Sequence, residues 1–546
     1  MTYTSFMFAV FALLTILVYY LMPSKKYQWV VLLIASFIFY MYNSYRFAFY
    51  IACTTASIYF AAKYIEDYAR STKELAKQKK TELSRSEIKA FKKERKKREQ
   101  LILAIALILN FGILFILKYY NFMVGGLFEL LGFSKGETPF IKLFLPLGIS
   151  FYTFQATGYL IDVYRGLVDA ERNFFKFALF VSFFPQTIQG PISEFEQLGN
   201  QLTQEHKPEW IRFKLGCQLI LWGLFKKLVI ADRAIYFIQK CTNHYTQYNG
   251  LVIFLVGLTY ALQLYTDFSG GIDISRGIAK ILGIDMIDNF KRPYFSQSLG
   301  EYWRRWHISL GAWMKKYVFY SLAMSNTFMK LSNRIKKGEK KPSAVRMHLA
   351  KTLPSALAIF VVFMFVGLWH GANSKYVAFG VWNGAILMLS MLFKPVFLRM
   401  NEIFHVKDTS FFWKLFRIIR TFILVLVGYY FDIAKDFKSA VDMMSRSVFD
   451  WNLSLTMQQL PKMLPQIQDH IILFVASIIL FVCSILQERK DAESPGELTH
   501  SHSAVLQWIV IFIEILLVAI FGVYGTGADP AEVFFLLDVV GPLLHL

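Results

Sequence analysis

Phe360-Val-Val-Phe-Met-Phe-Val-Gly-Leu-Trp-His370 closes an apolar run that begins near residue 352. The run matches the roughly 20 residues a helix needs to cross the hydrocarbon core of a bilayer. It therefore reads as a membrane helix that ends on an ionisable side chain. Similar runs lie at about 5–22, 28–43, 45–64, 101–123, 140–163, 172–190, 211–230, 250–267, 375–396, 411–431, 470–487 and 505–526. A semi-polar, aromatic stretch occupies 290–325. Composition agrees: 55% of the 546 residues are hydrophobic and only 18% charged, against about 25% charged in a soluble domain. Aromatics reach 17%, in keeping with rings at both membrane interfaces. The fold class expected is all-α integral membrane, and the length allows roughly ten crossings.

The charge is concentrated. Lys+Arg number 59 and Asp+Glu 38, a net of +21. Residues 65–100 hold thirteen Lys/Arg against seven Asp/Glu, and residues 330–351 hold eight against Glu339 alone. Basic loops between apolar runs mark the cytoplasmic face and draw anionic headgroups, so nucleic acid is excluded as the partner. The 65–100 segment, with Leu75, Leu83, Ile88 and Phe91 among its charges, is expected to be an interfacial or soluble helix. Three crossings before it place the N-terminus outside, and residues 1–22 read as a retained span. The expected divisions are N-terminal spans (1–64), a basic cytoplasmic linker (65–100), a core with re-entrant segments (101–375) and C-terminal spans (376–546). Five runs between two inner loops break the parity of crossings. Irregular backbone at depth is tolerated only beside a cavity or inside protein, so a cavity is expected near 185–325. The cysteines Cys53, Cys217, Cys241 and Cys483 are scattered, and neither a disulfide framework nor a metal site is expected.

Polar groups inside spans are costly and usually functional. His370, between Trp369 and Gly371, reads either as an interfacial histidine bonded to backbone or as a buried base kept neutral by its apolar setting. In Glu301-Tyr-Trp-Arg-Arg-Trp-His-Ile-Ser-Leu310, helical spacing would put Trp303, Trp306, His307 and Leu310 on one face. That pattern fits an aromatic belt, or a helix offering His307 to a cavity and Arg304 and Arg305 to a phosphorylated ligand. Asp267, before the pair Gly270-Gly271, reads as a helix stop or a re-entrant turn. Pro185 and Pro191 flank Gln186 and Gln189 and would break a helix within two turns.

These segments resemble the membrane-bound O-acyltransferase family, above all its bacterial branch of alginate and peptidoglycan O-acetyltransferases and the D-alanyl transfer protein of teichoic acids. The matching pieces run in family order: Leu145-Pro-Leu-Gly-Ile-Ser-Phe-Tyr-Thr-Phe-Gln155, Ile161-Asp-Val-Tyr-Arg165, Phe184-Pro-Gln-Thr-Ile-Gln-Gly-Pro191, Gly223-Leu-Phe-Lys-Lys227 with Ala231-Asp-Arg233, the Asp267 turn, Trp303-Arg-Arg-Trp-His-Ile-Ser-Leu310 and Gly367-Leu-Trp-His-Gly371. The resemblance implies a polytopic helical bundle of about eleven spans, each of roughly 20 residues, with re-entrant helices around a central tunnel. It implies His370 as the catalytic histidine and His307 as the second functional position. Trp303, Arg304, Arg305, Trp306, Asp267, Gln186, Trp369 and Asn373 are the expected substrate contacts. The implied donor is cytosolic acetyl-CoA, with no cofactor besides. The implied acceptors are an extracytoplasmic acetyltransferase partner and then a polysaccharide or cell-wall glycan, across a bacterial inner membrane. After Trp313 the chain reads Lys315-Lys-Tyr-Val-Phe-Tyr-Ser-Leu, and near its end Phe534-Phe-Leu-Leu-Asp538. Both differ from the alginate-type pattern and leave the acceptor polymer open.

The chemistry expected is attack of a hydroxyl oxygen on a thioester carbonyl. His370 would take the hydroxyl proton, and His307 would orient the donor carbonyl or stabilise the oxyanion. Two alternatives stay open: a teichoic-acid D-alanyl transferase fed by a carrier-protein thioester, and a transporter of lipid-linked sugars.

Overall fold

The computed structural model describes residues 1–43, 45–81, 84–131, 146, 148–336, 343–464, 466–492, 494–500 and 502–524. Leu83, Leu145, Leu147, the middle of the second basic loop at 337–342 and the stretch Phe534-Phe-Leu-Leu-Asp538 lie outside the described residues. Among the described residues the backbone is helix and loop, with one isolated antiparallel bridge between Phe290 and Trp306.

Helices Arg85–Gly125, Gly250–Ile281, Ala344–His370, Ser374–Leu392, Ile467–Lys490 and Ala504–Phe521 are long and apolar enough to cross a membrane. Large apolar side chains stand exposed along them, such as Ile105, Ile108 and Phe115, Phe474 and Phe481, or Phe512 and Ile520. In water such continuous apolar faces would drive aggregation; in a bilayer they are the surface that lipid solvates. The chain is an all-α membrane protein.

It divides into two compact units, one of residues 1–217 with 275–287, the other of 218–274 with 288–546. In the first unit, rings of Phe8, Phe11, Phe39 and Phe184 interlock at 5.2–6.5 Å. The Gln28 carboxamide holds the His206 backbone, its Nε2 donating to His206 O at 3.0 Å and its Oε1 accepting from His206 N at 2.9 Å, and the Tyr19 hydroxyl meets His206 Nδ1 at 2.9 Å.

The basic segment is not the separate helix expected. Helix Tyr45–Gln78 runs straight into it and helix Arg85–Leu130 runs straight out of it. Lys, Glu, Ala and Arg are good helix formers, and neither Gly nor Pro interrupts 65–100. The reversal comes at Ser84, whose Oγ accepts from Glu87 N while the Glu87 carboxylate accepts from Ser84 N at 2.8 Å, a reciprocal cap. The two arms are tied by Arg95, whose guanidinium lies 3.9 Å over the Tyr68 ring and bonds Ser71 at 2.8 Å.

In the second unit, a cluster of Trp222, Phe225, Leu228, Val229, Ile230, Ala476, Leu480 and Val518 forms one buried core. Helices Ala344–His370 and Ser374–Leu392 form a tight hairpin. A Cβ on Gly367 would fall 2.4 Å from the Tyr376 carbonyl oxygen, and one on Gly380 would fall 2.7 Å from that of Phe363. Small residues let membrane helices approach this closely.

The turn expected at Asp267 does not form; helix Gly250–Ile281 passes through it unbroken. The glycines serve contact, not reversal. A Cβ on Gly270 would meet the Gly223 oxygen at 2.9 Å and Lys227 N at 3.2 Å, so Gly270 admits the backbone of the preceding segment. That segment, Phe225–Ala231, is π-helical.

Candidate active site

The expected helical face of Trp303, Trp306, His307 and Leu310 is broken at its centre. Helix Leu299–Arg305 stops, Trp306 is extended, and His307 has φ 45° and ψ 55° before helix Ile308–Trp313. A left-handed conformation is uncommon for a residue with a side chain and persists only where surroundings over-determine it. The surroundings here are the isolated antiparallel bridge of Phe290 and Trp306: Lys291 N donates to Arg305 O at 2.9 Å and Ile308 N to Asn289 O at 3.0 Å. Asn289 completes the lock. Its Oδ1 accepts from Ser309 N and Ser309 Oγ, both at 2.9 Å, and faces His307 Nδ1 at 3.3 Å.

His307 is buried. The edge of Phe268 meets it at 4.9 Å between centroids, and Trp369 at 6.2 Å. The ring lies outside the spanning helices. Loss of hydration pushes its pKa well below the usual histidine range, and the His370 ring adds in the same direction.

His370 is the last residue of helix Ala344–His370 and is half-buried. Its ring meets Trp369 at 5.1 Å, Phe379 at 5.0 Å and, nearly parallel, Tyr376 at 6.0 Å. Trp369 thus contacts both imidazoles, and two histidines distant in sequence share one aromatic neighbour. Asn373 caps the following helix, its Oδ1 accepting from Lys375 N at 3.1 Å.

The other expected contacts separate into groups. Trp303 donates its indole N–H to Asn383 Oδ1 at 3.1 Å and meets Phe379 at 6.2 Å, the same ring that meets His370. Trp306 sits among Phe290, Tyr302, Tyr294 and Tyr429. Arg305 is held by Glu301 at 2.8 Å and Glu488 at 2.9 Å, and Arg292 reaches the same Glu488 at 2.6 Å. Arg304 is exposed. Gln186 belongs to the first unit, where its Nε2 donates to Gln155 Oε1.

Asp267 is engaged within the protein. Its Oδ1 pairs with Lys227 Nζ at 2.6 Å, and its Oδ2 accepts from Gln263 at 3.3 Å. Lys227 also reaches Asp232 at 3.3 Å, while Lys226 pairs with Asp273 at 2.6 Å and Ser269 at 2.9 Å. Two consecutive lysines in an apolar run were a visible signal of such pairing. Asn289 carried none, because one Asn in a loop does not announce its partner. The network of Tyr260 on Asp432 at 2.5 Å, and of Tyr294 and Tyr302 on Tyr429 at 3.0 and 2.8 Å, was equally silent. Among the described residues no group of His, Cys, Asp and Glu is placed to hold a metal ion.

The helical membrane fold agrees with what comparison shows. The model of the membrane-bound O-acyltransferase family matches residues 168–332. A probable alginate O-acetylase AlgI of Azotobacter vinelandii is 31% identical over 423 residues, 74% of this chain and 77% of the relative. The chain belongs to the membrane-bound O-acyltransferase family. The corresponding protein of Pseudomonas aeruginosa is 36% identical over 53% of this chain, and the match spans 51% of that relative's length. A peptidoglycan O-acetyltransferase of Helicobacter pylori is 31% identical over 53% of this chain and 55% of its own.

Proposed function

We propose that the chain is an O-acyltransferase that moves an acetyl group from acetyl-CoA on the cytoplasmic side to a hydroxyl on the far side of the inner membrane. The observation that carries this reading is that the rings of His307 and His370 both contact Trp369 at the end of a membrane helix. A hydroxyl is a poor nucleophile until it loses its proton. His370 takes that proton as the oxygen attacks the thioester carbonyl, a contribution of about 10²–10⁴-fold. The carbon–sulfur bond then breaks, the acyl group stays on oxygen, and the thiolate leaves and is reprotonated. Aromatic walls from Phe268, Trp369, Tyr376 and Phe379 keep water from the thioester. The names of the relatives favour a glycan as the final acceptor. A glycan cannot cross the bilayer, so the acetyl group must, and an extracytoplasmic partner protein then completes the transfer. In this reading the N-terminus lies outside and the basic loops lie inside.

The test is transfer or hydrolysis of radiolabelled acetyl-CoA by protein purified in micelles. Wild type should release label and His370→Ala should not, with unchanged elution and melting. Turnover of alanylated carrier protein alone would replace the donor. Sugar-lipid transport that survives His370→Ala would overturn the reading.

A further inference from the structure

The contacts of Asn289 decide where His307 keeps its proton. Ser309 N can only donate, and it lies 2.9 Å from the Asn289 amide atom that also faces His307. That atom must therefore be the carboxamide oxygen; the flipped amide would set two donors against each other. Ser309 Oγ donates to the same oxygen at 2.9 Å. Facing an acceptor at 3.3 Å, His307 Nδ1 makes a favourable contact only if it carries hydrogen. In a neutral imidazole the other nitrogen, Nε2, then holds a lone pair. Burial supports neutrality, since His307 is 4% exposed between apolar rings of Phe268 and Trp369.

The arrangement carries a local cost. Asn289 Nδ2 is buried without a hydrogen-bond partner among the described residues, and such an orphan costs about 1–3 kcal/mol. Turning the amide would not remove that cost, because it would put a donor against Ser309 N. The oxygen's contacts outweigh the orphaned nitrogen.

We propose that Asn289 is a positioning residue that holds His307 in its Nδ1–H tautomer, so that Nε2 faces the reaction as a hydrogen-bond acceptor. The functional half of this statement rests on the acyl-transfer reading; the tautomer itself does not. A neutral His307 of this form cannot donate through Nε2 to an oxyanion. It instead accepts a hydrogen bond from a substrate O–H or N–H other than that of the attacking hydroxyl, and so orients the substrate while His370 removes the attacking hydroxyl's proton. This revises the role expected for His307 from sequence.

The experiment is nitrogen NMR of the full chain in micelles, labelled with ¹⁵N-histidine and assigned by difference against His307→Ala. The expected pattern is a protonated Nδ1 and a bare Nε2 for residue 307. The reverse pattern would overturn the proposal. Asn289→Asp keeps an acceptor in place and should keep Nδ1 protonated; loss of that proton would also overturn it. Asn289→Leu, where it folds, should shift the ring towards Nε2–H and slow transfer roughly 10–100-fold, as when the partner of a ligating histidine is removed. An unchanged nitrogen spectrum in that variant would count against the proposal. The spectra need no turnover, so a wild type inactive towards acetyl-CoA would sink the acyl-transfer reading and leave the tautomer standing.

Discussion

Lys227 Nζ and Asp267 Oδ1 form an ion pair of 2.6 Å between the π-helical turn Phe225–Ala231 and helix Gly250–Ile281, with both side chains almost wholly removed from water. The next residue along that helix, Phe268, is the ring whose edge meets His307. A charge pair buried at one end of the segment thereby fixes a wall of the site. π-Turns occur often at functional positions, and this one turns both Lys226 and Lys227 towards the same helix.

Removing Asp267 leaves the buried Lys227 its longer pair to Asp232 at 3.3 Å. Asp267→Ala should therefore lower stability, by less than the roughly 3–5 kcal/mol of a wholly uncompensated buried charge. Lys227→Met combined with Asp267→Leu should recover most of that loss. Thermal melting in detergent checks both, and a single variant as stable as wild type would show that the pair contributes nothing.

His307 gives stability a pH dependence of defined sign. Its pKa is lowered in the folded state from the ordinary 6.5, so the unfolded chain binds the proton more readily. Its contribution is therefore complete above pH 6.5 and is lost as pH falls below that value towards the folded pKa, with a slope of up to about 1.4 kcal/mol per pH unit. Melting of wild type and His307→Phe between pH 5 and 7.5 should show the shallower acid slope in the variant.

Close approach at Gly367 holds the strand of rings around His370. Gly367→Ala would place a methyl 2.4 Å from the Tyr376 oxygen and 3.0 Å from the Gly380 backbone, where nothing flexible can yield. The hairpin must open, at a cost of about 1–3 kcal/mol. Since Tyr376 stacks on His370, transfer activity should fall together with the melting temperature. Gly112→Ala, with open space around it, is the control and should leave both unchanged.

Trp369 should matter through shape more than charge. Trp369→Phe retains a ring against both imidazoles and is expected to keep transfer within about tenfold of wild type, whereas Trp369→Ala removes their shared neighbour and opens a cavity worth about 3–5 kcal/mol. Steady-state transfer and melting, measured side by side, separate these outcomes.

The membrane class and the helical content were readable from one dimension, and so were the two histidines, at 307 and 370, whose rings the structure sets against one tryptophan. Apolar runs of spanning length carry their own meaning, because the bilayer sets the length. Histidines within such runs are conspicuous because they are costly there. Less legible was anything that depends on a bend. The pattern Trp303, Trp306, His307, Leu310 satisfies helical spacing, yet His307 adopts φ 45°, since the bonds to Asn289 and Lys291 outweigh local helix propensity. The Gly270-Gly271 pair looked like a stop because glycine weakens helices, but the partner backbone of Gly223 and Lys227 makes it a contact.

By itself, the order of residues determined that this chain lives in lipid, that its charge gathers between the apolar runs, and which imidazoles are worth testing. Those properties follow from transfer free energies summed locally. Tertiary structure alone decided which side chains touch: that Asp267 answers Lys227, that Arg305 and Arg292 converge on Glu488, and that Asn289 dictates the proton of His307. Such pairings join segments far apart in the chain, and the energy of a hydrogen bond or ion pair depends on distances that no single segment contains.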